Sequence, residues 1–147
     1  MSDVGKAIGQ LKARLGQLSP VPASHVTSLA VAVQARLPQD YEILLQRIGP
    51  VQLPTQPGIE LYDPAAICAY VVSIYNMEGQ PPHQWLALPI GRVGEHGDDA
   101  GYLRSGDAFG PELVLLAHEG PWVATSTEWH SPLASSLSAL ITTTLSK

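Results

Sequence analysis

Between Trp85 and Thr125 four short strand-like runs, WLALPI, GYLR, ELVLLAH and WVAT, are separated by GRVGEHGDDA, SGDAFGP and EGP. Connections this short join antiparallel neighbours, because a parallel crossover needs a dozen or more residues. The spacing therefore predicts a small antiparallel sheet with glycine-rich, acidic turns at one or both of its ends. Such turns form a surface for meeting another molecule, and no catalytic signature accompanies them.

The 147 residues suit one domain, 1–147, with N-terminal helices over 1–48 and a sheet with intervening and closing helices over 49–147. A chain of that length can bury roughly two thirds of its unfolded surface and folds without a disulfide or structural metal. Its single cysteine, Cys68, has no internal partner. A lone thiol, with no basic, small-residue-terminated leader at the start, leads to the expectation of a cytoplasmic protein. The longest mostly apolar run, Ala65 to Ile74, is half of what a membrane-spanning helix requires.

Charge is uneven. Residues 1–47 carry five lysines and arginines against three acids, whereas residues 48–147 carry three against ten. Nucleic-acid binding relies on lysine and arginine displacing condensed counterions, so an acidic sheet half disfavours direct contact with nucleic acid and favours a basic protein partner.

Helical signals come first along the chain. Val4, Ile8, Leu11, Leu15 and Leu18 make one apolar stripe that Ser19-Pro20 ends. A second helix is expected from an N-cap at Ser24 to Arg36, with Val26, Ala30, Val33 and Leu37 on one face. Pro38 opens a third, Asp40 and Glu42 suit its positive end, Arg47 suits its negative end, and Gly49-Pro50 stops it. Tyr41, Leu44, Leu45 and Ile48 form its buried face. VQLPTQPG is expected to be a loop leading into a strand, IELY. Asp63-Pro64 caps a helix expected from Ala65 to about Met77, and Ser131-Pro132 is expected to open a closing helix with Leu133, Leu137, Leu140, Ile141 and Leu145 inward. Together these predict an α+β fold, helices packed on a mainly antiparallel sheet of about five strands.

Several of these segments also resemble a known family in wording and order. LPQDYEILLQRIG, with Leu37, Pro38, Tyr41, Leu44, Leu45 and Gly49, looks like the helix of the SUKH superfamily, which joins cell-wall-assembly regulators to bacterial immunity proteins. IELYDPAAI is similar to the strand-then-helix segment that follows in that family. LPIGRVGEHGDDAGYL is similar to its isoleucine-glycine strand end and Gly-Asp turn, here Ile90-Gly91 and Gly97-Asp98, and WVATSTEWHSPLASSLSALI looks like its last strand and closing helix. The resemblance covers roughly residues 25–145. Ser136-Leu137 stands where the family usually has a serine-phenylalanine pair, and Ile48-Gly49-Pro50 lacks its frequent asparagine. What the resemblance implies is a SUKH-like fold and a noncatalytic binding protein that neutralises a cognate toxin, often a nuclease.

The residues expected to meet such a partner are Glu95, Asp98, Asp99, Asp107, Glu119 and Glu128, with Trp129 as an aromatic anchor beside Glu128. No catalytic residue, cofactor or metal ligand is assigned. Glu95, His96, Asp98, Asp99, His118 and Glu119 have ligand chemistry, but GEHGDD lacks the spacing of a calcium loop and contains no helical zinc pair, so a solvated hairpin is the preferred reading. His83 and His130 are scattered. Cys68 is expected to be a small core residue, and no Gly-x-Ser-x-Gly elbow occurs. The spacing of Gly91, Gly94 and Gly97 is not that of a phosphate loop. Trp85 and Trp122 open apolar runs and are expected in the core. A regulatory protein-interaction module is the alternative, and a metal-dependent hydrolase the third reading. Oligomeric state and the identity of the partner are not encoded in any recognisable motif.

Overall fold

The computed structural model describes residues 3–16, 18–55, 58–69, 87–93, 98–116 and 130–145. Among these, helices α1 (Asp3–Arg14), α2 (Ala23–Val33) and α3 (Gln39–Arg47) come first. Strands β1 (Gln52–Leu53) and β2 (Ile59–Leu61) lead to α4, of which residues 64–69 are described, and then to β3 (Ala87–Val93), β4 (Asp99–Ser105), β5 (Ala108–Leu116), β6 (His130–Ala134) and α5 (Leu137–Leu145). The strands form one six-stranded sheet in sequential order, every pair antiparallel. The fold is α+β, as the turn spacing indicates, with one strand more than the expected five. No helix among the described residues is long and apolar enough to cross a membrane.

Two of the strands correct the sequence reading. β1 falls in the proline-rich stretch expected to be a loop, and β6 occupies Ser131-Pro132, expected to start the closing helix. Both strands lie at the outer ends of the sheet order, where a strand has only one partner. A missing proline N–H is tolerated on such an edge. Pro132 pairs with Val114 beside a register shift, and Leu133 is half-buried in β6 rather than facing inward from a helix. The helix starts later, at Leu137, with the Ser136 Oγ accepting the Ala139 N–H at 3.0 Å. The connection around Asp107 is also tighter than SGDAFGP suggests, because Ala108 to Pro111 are already strand.

α2 ends three residues before the expected Arg36. Gln34 enters the left-handed region (φ +53°), and the Gln34 and Ala35 N–H groups return to the carbonyls of Val31 and Ala30. That pair of bonds is a Schellman closure, made here without the usual glycine. Ser24 lies inside the helix, where its carbonyl accepts the Ser28 hydroxyl, and Pro22 takes the cap position.

α3 follows the sequence more closely. Tyr41, Leu44, Leu45 and Ile48 are fully buried, and Pro38 stands just before the first helical residue. Gly49 then turns the chain with φ +91°, where a Cβ would lie 1.7 Å from the Ser19 carbonyl oxygen. The α1–α2 connection runs over this end, with Ser19 N–H to Ile48 O and Val21 N–H to Leu45 O both at 2.8 Å. Only glycine satisfies both the backbone angle and the close approach.

The core joins Ile8 and Leu11 of α1, Leu29 of α2, α3, Ile141 of α5 and the buried residues of the sheet. The rings of Tyr41 and Tyr102 meet at 6.0 Å, which brings α3 onto β4. Asp40 ties α3 to α5 by accepting the Ser138 N–H at 3.2 Å and the Ser138 hydroxyl at 2.8 Å. Arg104 of β4 reaches α2, donating to the carbonyls of Val33 and Gln34 while its guanidinium lies 5.3 Å from the centre of the Phe109 ring. A cation at a helix C-terminus also complements the dipole there.

Candidate partner-binding surface

Of the residues expected to meet a partner, Asp98, Asp99 and Asp107 are described, and Glu95, Glu119, Glu128 and Trp129 lie outside the described residues. Trp85, Trp122, His83, His96 and His118 lie outside them as well, as does the 70–77 part of the expected fourth helix. The three described acids are not brought together. Asp98 precedes β4 and Asp107 follows it, so at about 3.3 Å per residue roughly 20 Å of strand separates them.

Asp107 is the most exposed of the three and sits in the tight β4–β5 turn. Its carboxylate lies 3.5 Å from Arg36, with both side chains at least 80% exposed. The backbone reinforces the contact, because the Arg36 N–H donates to Asp107 O at 2.9 Å and the Phe109 N–H donates to Arg36 O at 3.0 Å. Asp98 is half-buried, and its carbonyl accepts the Val93 N–H at 2.8 Å.

Asp99 departs from the expected solvated turn, because it opens β4 and is completely buried. The Tyr62 hydroxyl donates to its Oδ1 at 2.5 Å, the length of a charge-assisted O–H···O bond. Strand register supplies its surroundings: Gln52, Glu60, Arg92 and Asp99 are successive partners across β1 to β4, and paired positions share a face. Glu60 and Arg92 are exposed there, and Tyr62 follows Glu60 by two residues. Burial, then the hydrogen bond to Asp99 and its charge, push the Tyr62 phenol well above its ordinary range, against the opposing pull of Arg92. Asp99 thus belongs to the interior, and the exposed acids of the described sheet and its turns include Glu60, Asp107 and Glu112.

A cleft of about 220 Å³ opens between α2 and α4, lined by His25, Ser28 and Leu29 on one side and Asp63, Pro64, Ala65 and Cys68 on the other. Asp63 is the expected cap: its Oδ1 accepts the Ala65 N–H at 2.9 Å and its carbonyl accepts the Ile67 N–H at 3.0 Å. Cys68 is half-buried rather than a full core residue, and burial pushes its thiol up, away from thiolate chemistry. Behind this wall the Tyr41 hydroxyl is buried without a hydrogen-bond partner among the described residues, a situation that costs about 1–3 kcal/mol where no partner is supplied. Burial, followed by the influence of Cys68 and Asp63, raises its pKa far above that of a free phenol. Tyr102 shares the condition, with burial first and Asp40 second among the causes.

A shallower hollow of about 400 Å³ lies between the start of α3 and β5, bounded by Arg36, Pro38, Asp40, Phe109 and Pro111. Asp40 is committed to Ser138 within it. Among the described residues no three histidine, cysteine, aspartate or glutamate side chains converge as a metal site. His25 and Ser28 escaped the sequence reading because neither belongs to a motif. Their sequence signal is only a polar spacing of three on α2, beside its apolar face.

No protein-family model, curated protein or solved structure matches the chain.

Proposed function

We propose that the chain is a noncatalytic binding protein of the immunity type, which holds a cognate toxin with a basic surface and neutralises it by occlusion in the cytoplasm. The observation that carries this reading is the distribution of charge. Residues 48–147 hold ten acids and three lysines and arginines. Of those cations, Arg104 is turned inward onto the carbonyls of α2 and the Phe109 ring. Glu60, Asp107 and Glu112 face solvent, Glu60 across from the exposed Arg92 and Asp107 beside the exposed Arg36. A toxin that acts on nucleic acid needs basic residues near the substrate backbone, so an acidic protein can compete for that surface without performing chemistry. The SUKH resemblance supports the same reading, since that superfamily includes bacterial immunity proteins.

The test is to co-express the chain with the product of a neighbouring toxin-like gene and to follow growth and complex formation. Rescue by the parent, weakened at matched abundance by neutralising Glu60, Asp107 and Glu112 together, is the expected result. Complex formation with an endogenous regulator, and with no neighbouring product, would favour a regulatory interaction module instead.

A further inference from the structure

We propose that the cleft between α2 and α4 is a socket for a single basic side chain, lysine or arginine, presented by a protein partner. The inference rests on the reading of the chain as a binder of a basic protein and names where one anchor of that protein would sit. Size points to one side chain: the cleft holds about 220 Å³, below the roughly 300 Å³ at which pockets for drug-sized ligands begin.

Hydrogen-bonding capacity points to a donor. The Ser28 hydroxyl proton is spent on the Ser24 carbonyl at 2.9 Å, which leaves the Ser28 oxygen as an acceptor. Asp63 uses Oδ1 for the Ala65 N–H, and a carboxylate has about four acceptor positions in all. Lysine and arginine are the side chains that bring several donors and no acceptor. Their aliphatic stems match the apolar part of the wall, Leu29, Pro64 and Ala65.

Charge agrees with this. No lysine or arginine lines the cleft among the described residues, and Asp63 is an exposed acid at its mouth. Among the described residues the one charged side chain that lines the cleft is thus the Asp63 carboxylate, which favours a cation.

The test uses N-acetyl-arginine methylamide and N-acetyl-lysine methylamide as probes, titrated into the full chain while amide resonances are followed by NMR. N-acetyl-citrulline methylamide, which keeps the shape of the arginine probe without its charge, is the control. Saturable shifts at Ser28, Leu29, Ala65 and Cys68 are expected with the two cations, and weaker shifts with citrulline. Asp63→Asn retains a capping oxygen and removes the charge, so it should fold and lower the affinity by about fivefold or more. Ala65→Leu, which fills the cleft from an exposed position, should do the same. Equal shifts with citrulline, shifts spread over the surface, or unchanged affinity in both variants would overturn the socket. Toxin binding separates the two readings: a parent that binds its toxin no better than Asp63→Asn removes the socket alone, whereas a parent that binds no toxin removes the immunity reading, and the probe titration then decides the socket by itself.

Discussion

The two ends of β4 carry the same residue type and use it in opposite ways. At one end Asp99 is buried and receives the Tyr62 hydroxyl at 2.5 Å, and at the other Asp107 lies in solvent 3.5 Å from an equally exposed Arg36. The first contact is part-buried and its Asp99 side is closed to water, so removing the Tyr62 hydroxyl from that carboxylate would be costly. The second is made in high dielectric, where attraction is largely offset by screening and by the entropy of holding two long side chains. An acid at a strand end is therefore part of the fold in one place and available to a partner in the other, and burial decides which.

Glycines mark the same contrast and offer the largest expected effect. A Cβ at Gly101, two residues into β4 from Asp99, would meet the Leu88 carbonyl oxygen at 2.3 Å and the Leu116 side chain at 2.6 Å. At Gly106, beside Asp107, a Cβ would meet nothing within 4 Å, although φ is +64°. Gly101→Ala should push β3 from β4 and cost about 3 kcal/mol or more, at the upper end of overpacking penalties. Gly106→Ala should cost only the left-handed backbone term, about 1–2 kcal/mol. Denaturant midpoints measured on both variants check this, and equal losses would show that the Asp99 end is not the more tightly constrained one.

Next in size is the Tyr62–Asp99 contact. Asp99→Asn and Tyr62→Phe should each cost about 1–3 kcal/mol, and the double variant should show a coupling of about 1 kcal/mol or more. Additive losses would mean that the short contact contributes nothing beyond packing. The Tyr62 phenol also gives the pair a pH signature. Its pKa is raised in the folded protein by burial first and by Asp99 second, so its contribution is fully present below the ordinary tyrosine pKa of about 10 and is lost as pH rises above that value. Melting temperature should therefore fall from about pH 10 upward, and less steeply in Tyr62→Phe than in the parent. Identical slopes would remove Tyr62 from the explanation.

Why the two ends looked alike in the sequence is a matter of range. GEHGDDA has the composition of a turn, and a glycine-rich acidic stretch says little about where the following strand begins. The buried state of Asp99 depends on Tyr62, thirty-seven residues earlier, and on the register that brings β2, β3 and β4 side by side. By contrast α3 was legible because its signals are local: Pro38, the Tyr41-Leu44-Leu45-Ile48 spacing and Gly49 all act within three turns. The closing helix was misread at its start for the same reason. Ser131-Pro132 is a good local helix opening, and only the pairing of β6 with β5 overrides it. The α2–α4 cleft had no local signal at all, since its walls come from helices separated by the whole of α3, β1 and β2.

The smallest expected effect is at Asp107, whose exposed side chain is one that the proposed function assigns to a partner. Asp107→Asn and Arg36→Ala should each change stability by less than about 0.5 kcal/mol, and their double variant should show no coupling above error, because exposed pairs of this kind contribute little. The backbone bonds between Arg36, Asp107 and Phe109 do not involve either side chain and should hold the turn in place. Partner association is where Asp107 should count: removing its charge should slow encounter with a basic toxin and flatten the salt dependence of the on-rate, with the dissociation rate changed much less. Stopped-flow association at two ionic strengths measures this directly. A large loss of stability in Asp107→Asn would make the turn structural and erase the contrast with Asp99, whereas an unchanged on-rate at low salt would move the partner-facing role to other exposed acids such as Glu60 and Glu112.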